Sequence, residues 1–117
     1  MTIVEQFDQV LAPFFWVEQG QGAAVCLDDQ DYLQDVFRTR AAEGFTGGGS
    51  DWISLAQVFL AERCPDLVGK VSIDSESSMF CAFSKDKEAL ADFILGFRRA
   101  CDDRDMMVDL FSRVQRT

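Results

Sequence analysis

Histidine is missing from this chain altogether. That absence removes the Ser-His-Asp and Cys-His arrangements and any imidazole general base. Cys26, Cys64, Cys81 and Cys101 stand too far apart to make a Cys-x-x-Cys unit, so a structural zinc site has no ligand framework. Three of the four lie beside apolar neighbours, in Val25-Cys26-Leu27, Phe80-Cys81-Ala82 and Ala100-Cys101, where a thiol packs as a small core side chain. No apolar run approaches the roughly 18 residues of a membrane-spanning helix. The first residues, Met1 to Asp8, lack the basic start and apolar block of a secretory signal, and the chain reads as cytoplasmic. Bases are absent before Arg38, whereas Glu5, Asp8, Glu18, Asp28, Asp29, Asp31 and Asp35 all fall in that stretch.

What is present is a core-forming composition with an acidic surface. Apolar residues make up 48% of the 117, with eleven phenylalanines, enough for a single domain over residues 1–117. The formal charge is −9, from 20 acids against 11 bases. Such a field disfavours nucleic acid, whose recognition relies on basic phosphate contacts. It favours solubility and fast encounter with a basic partner. On composition alone a merely solvated surface is the favoured reading.

The centre of the chain is Glu43-Gly44-Phe45-Thr46-Gly47-Gly48-Gly49-Ser50-Asp51-Trp52, a glycine-rich joint running into a helical pattern. Ser50 or Asp51 is placed to cap that helix, and Trp52, Leu55, Ala56, Phe59 and Leu60 share one face of it. Phosphate binding fails on specifics: an aspartate stands where a P-loop needs lysine, and the preceding pattern is helical, not a strand. The joint reads as a conformational connector.

On either side the plan is strand–strand–helix–helix. Pro13–Glu18 and Ala23–Leu27 form a hairpin about a turn at residues 19–22. Asp28 to Asp31 supply first-turn acids to a helix carrying Leu33, Val36, Phe37 and Ala41 on one face, which Gly44 ends. The second helix stops at Cys64-Pro65. Strands at 70–74 and 78–83 follow, then a helix through Leu90, Phe93, Ile94, Phe97 and Cys101, a break at Asp102-Asp103, and a last helix. Tyr32–Phe37 aligns without gaps with Ala89–Ile94, a faint internal echo. The expectation is α+β: a four-stranded antiparallel sheet from two hairpins with helices on one face, in ββααββαα order.

The carboxylate pairs, Asp28 with Asp31 and Asp102 with Asp105, sit at helix starts, where the dipole lowers a carboxyl pKa, opposite to what a general acid needs. Nor do the acids have the spacing of a calcium loop. The reading is a binding protein without catalytic residues, metal or cofactor.

Arg40-Ala41-Ala42-Glu43-Gly44-Phe45, Asp51-Trp52-x-Ser54-Leu55-Ala56 and Val58-Phe59-Leu60-x-Glu62 resemble immunity protein 51 of bacterial polymorphic toxin systems. Pro13-Phe14 and Trp16-Val17-Glu18 continue the likeness at the front, and Pro65-Asp66-Leu67, Met79–Ser84 and Asp86–Leu90 behind. One departure is Gly47-Gly48-Gly49-Ser50, where the family often reads Gly-Asn-Gly-Tyr. The resemblance implies a small cytosolic α+β protein that binds a cognate toxin, one with a basic active-site groove, and blocks it. Candidate contacts are Asp28, Asp29, Asp31 and Asp35, with Glu43 and Phe45 at the loop, while Trp16 and Trp52 are assigned to the core. The alternative is a regulatory or ligand-binding domain that dimerises through an uncovered sheet face.

Overall fold

A computed structural model describes residue 11 and residues 13–28, 32–45, 48–76 and 79–114. Strands β1 (Phe15–Gln19) and β2 (Gly22–Leu27) make the first hairpin as the sequence predicts, but Gln19 pairs with Gly22, so the turn is two residues and not the whole of 19–22. Strands β3 (Ser72–Glu76) and β4 (Met79–Ser84) make the second. The three pairings between these strands are antiparallel, and the sheet order is β1-β2-β4-β3, so the hairpins join through β2 and β4. A Cβ on Gly22 would lie 2.5 Å from the Ser84 carbonyl oxygen, so this end of the β2–β4 seam needs glycine.

The internal echo is in register with the sheet. The shift of 57 that aligns Tyr32 with Ala89 also carries β1 onto β3 and β2 onto β4, end for end. It carries the β1 pair Phe15–Cys26 onto the β3 pair Ser72–Phe83. Val25 and Ala82, themselves 57 apart, face each other across the seam. The halves are therefore related about the sheet centre by a pseudo-twofold, and exchanging them leaves the strand order unchanged.

The helices are α1 (Gln34–Arg38), α2 (Gly49–Arg63), α3 (Lys87–Cys101) and α4 (Arg104–Ser112), with 3-10 turns at Ala41–Glu43 and Pro65–Leu67. Helix α2 packs on β3 and β4, and α3 on β2 and β4. Alternation along the strands sends Ala23, Val25, Leu27, Phe80 and Ala82 into the helix-side core and Ala24, Cys26 and Cys81 to the other face. Trp52 is 2% exposed and sits among Phe14, Tyr32, Phe37, Phe80 and Phe97, with ring centroids 5.2–6.3 Å away. Burying rings of this size contributes roughly 1.5–3 kcal/mol each.

Local details differ from expectation. Asp86 and Asp103 cap α3 and α4, each carboxylate accepting from backbone N–H groups of the first turn. Helix α2 instead begins after Gly48, whose side is bare, and Asp51 lies inside the first turn. The first-half helix is cut to Gln34–Arg38: Leu33 holds a left-handed φ of 58° before it, and Arg40 leaves the helical path at φ −127°. Strand β3 lies two residues later than 70–74, because its hydrogen-bonding register with β4 runs from Ser72–Phe83 to Glu76–Met79. Trp16 is only half-buried, its indole donating to Glu18 Oε2 at 3.3 Å.

Candidate functional site

Of the six residues singled out from the sequence, Asp28, Asp35, Glu43 and Phe45 lie among the described residues. Asp28 is exposed where the chain leaves β2. Asp29 and Asp31 lie outside the described residues. Asp35 is exposed on α1 and accepts a 2.8 Å hydrogen bond from Arg104 Nε, at the start of α4. That bond holds the Asp35 carboxyl below its ordinary range. The base-free segment thus receives a base from the other half of the chain, which no local pattern records.

Glu43 and Phe45 belong to a different assembly, built around Arg40. Arg40 Nε and Nη2 donate to the two oxygens of Glu43 at 2.8 and 2.7 Å, and the carboxyl is lowered by this bond. Arg40 Nη1 donates to the carbonyls of Phe111 and Val114, both at 2.6 Å, at the end of α4. These are groups that a helix C-terminus leaves without an intrahelical donor, and a cation suits that end of the dipole. The guanidinium also lies over Phe45 and Phe111, 4.6 and 5.3 Å from the ring centroids. Gly44, at φ 100°, turns the chain so that Phe45 enters the core, 5% exposed and edge-on to Phe111 at 4.9 Å. Arg40–Phe45 is therefore a clamp holding the first half to α4, its Arg40 and Phe45 side chains turned inward while Ala41 to Gly44 face solvent.

Two apolar side chains were missed by the sequence reading. Phe15 and Val17 are 36% and 37% exposed on edge strand β1. The signal was available in the alternation, since Phe14 and Trp16 point to the core and their neighbours must point away. Pairing sets Phe15 opposite Cys26, two residues before Asp28, so an exposed ring and an exposed acid share one end of the sheet.

The thiols of Cys64 and Cys101 are poorly suited to act as nucleophiles. Burial pushes the Cys101 thiol up to about 12, despite the opposing influence of Tyr32 and Arg98. Burial also raises Cys64 and the Tyr32 hydroxyl. A thiol with a raised pKa is a poor nucleophile at neutral pH. Among the described residues no group of three or more histidine, cysteine or acidic side chains is arranged to hold a metal ion. A shallow depression of about 800 Å3 between the β1–β2 turn and the start of α3 is rimmed by Lys70 and Lys85, with Asp86 beside them. Among the described residues no helix is long and apolar enough to cross a membrane.

The sequence model of one family, described as Immunity protein 51, matches residues 14–116. No curated protein and no solved structure matches.

Proposed function

The chain belongs to the immunity protein 51 family, and from that premise we propose that it binds a cognate protein toxin and neutralises it in the cytoplasm without chemistry of its own. The observation that carries this reading is the extent of the match, which spans both hairpins and helices α1 to α4. The whole ββααββαα domain is then the inhibitory unit. The toxin is the C-terminal domain of a secreted polymorphic effector, with a basic active-site groove.

Charge supports such a partner. A −9 protein is drawn to a basic groove from a distance, which raises the association rate. The acids proposed to make contact are Asp28, Asp29, Asp31 and Asp35. Glu43 sits at the margin and keeps its bond to Arg40. Phe45 contributes from below, by fixing the clamp. The aromatic anchor moves to Phe15, with Val17 beside it, because hot spots need a large ring at the surface.

Co-purification with the product of the neighbouring gene tests the function, and that product's toxicity must be relieved by this chain. A neighbour that is neither bound nor toxic sinks the proposal. Reversing Asp28, Asp29, Asp31 and Asp35 to lysine is expected to slow association and weaken its salt dependence, and Phe15→Ala to speed dissociation. Unchanged affinity in both variants would remove this surface from the interface.

A further inference from the structure

Among the described residues the β2–β4 seam is the only strand pairing between the two halves, and two thiols meet on it. Cys26 and Cys81 are direct cross-strand partners, 55 residues apart in sequence, on the sheet face away from the helices. Their Sγ atoms are 2.9 Å apart. Directly paired antiparallel residues have Cα atoms about 4.5–5.5 Å apart, inside the roughly 4.4–6.8 Å that a disulfide spans. The sulfurs need approach by only about 1 Å more to reach bonding distance. Cys64 and Cys101 have no such arrangement: one ends α2, and the other lies at the end of α3 beside Tyr32.

We propose that Cys26 and Cys81 are a redox-modifiable dithiol that closes to a disulfide and staples the two halves across the centre of the sheet. The oxidant is a low-molecular-weight disulfide. The Cys26 thiolate, on the more accessible partner at 6% exposure against 1%, attacks one sulfur and expels the first small thiolate. The Cys81 thiolate then attacks Cys26 Sγ in the mixed disulfide and expels the second. Two protein thiols are oxidised, one small disulfide is reduced, and the two protons leave on the released thiols. The ladder already holds the sulfurs together, so ring closure needs little rearrangement of the fold. The bridge closes a 55-residue separation, which disfavours unfolding by on the order of a thousandfold in the equilibrium constant. By linkage, the folded pair is harder to reduce than the unfolded one by the same factor, about 90 mV.

Equilibration of the full chain with oxidised glutathione, followed by intact mass and peptide mapping, tests this. The expected product has lost two hydrogens, carries no retained glutathione on the pair, and yields a Cys26–Cys81 cross-linked peptide. Its Tm rises by on the order of 10 °C and returns on reduction. Cys26→Ala and Cys81→Ala are expected to abolish both the cross-link and the rise, with circular dichroism checking that each variant folds. The wild-type mass map stands by itself if either variant does not. A bridge between other cysteines, stable glutathionylation of Cys26 or Cys81, or unreacted thiols at both positions overturns the proposal, and so does a bridge that leaves Tm unchanged.

Discussion

Replacing Arg40 with methionine keeps a long apolar stem over Phe45 and Phe111 but removes every hydrogen bond of the clamp. The carbonyls of Phe111 and Val114 lose charge-assisted bonds of 2.6 Å at a part-buried helix end. Bonds of that kind contribute about 1.5–3 kcal/mol each, and the low end applies because water can reach the site once the guanidinium is gone. Adding about 0.5–1 kcal/mol for the lost cation–π contact gives roughly 3–4 kcal/mol in total. That is a large share of a typical domain stability of about 5–15 kcal/mol. The assay is urea unfolding followed by tryptophan fluorescence, with Trp52 packed on Phe37 in the same core. The midpoint should fall with the slope unchanged, and Tm should drop by about 10–15 °C. Arg40→Lys is expected to recover no more than about half, because one ammonium cannot fork to Glu43 and both carbonyls. Glu43→Gln should cost far less, since that carboxylate faces solvent. A loss below about 1 kcal/mol in Arg40→Met would refute the clamp. Equal damage from Glu43→Gln would shift its strength from the helix carbonyls to the ion pair.

Trp52→Ala is expected to cost about 3–5 kcal/mol, since it empties the space among five rings, while Trp52→Phe should cost clearly less because a ring still fills most of that space; both delete a buried indole N–H with no partner among the described residues. Thermal melts of both variants decide it, and equal losses would show that the ring volume is irrelevant. Stability should be flat from neutral pH down to about 5, because no histidine titrates there. Asp35 and Glu43, lowered by bonds from Arg104 and Arg40, contribute stability that is present above their ordinary values of 3.8 and 4.5. That contribution disappears as pH falls through their lowered folded values. Falling net charge relieves self-repulsion over the same range, so the decline in Tm should begin only below the ordinary carboxylate range. A Tm that drops between pH 7 and 5.5 would contradict this assignment.

The order of strands and helices was readable because each rests on a short period. Alternation from Phe14 to Val17 and from Phe80 to Phe83 marks strands, and Leu90, Phe93, Ile94 and Phe97 mark a helix within a few residues of themselves. Asp86 and Asp103 cap their helices through bonds to residues two and three positions on, a local signal that the sequence reading, which placed its cap at Ser50 or Asp51, did not use. The family likeness was legible for a related reason, yet what the side chain of Arg40 in its Arg40–Phe45 motif bonds to was not. What it holds lies 71 and 74 positions away, at Phe111 and Val114.

The composition and local patterns by themselves determined the class of fold, the acidic character, and the lack of imidazole chemistry. Only the tertiary structure decided that Phe45 is buried, that Arg104 reaches Asp35 across 69 positions, and that Phe15 shares a sheet end with Asp28. It also decided that Cys26 meets Cys81. Those facts depend on the register between β2 and β4 and on how α4 docks. A strand carries its own alternation in its sequence, but its register against a strand 55 positions away is fixed only when the helix-side face of the sheet is packed.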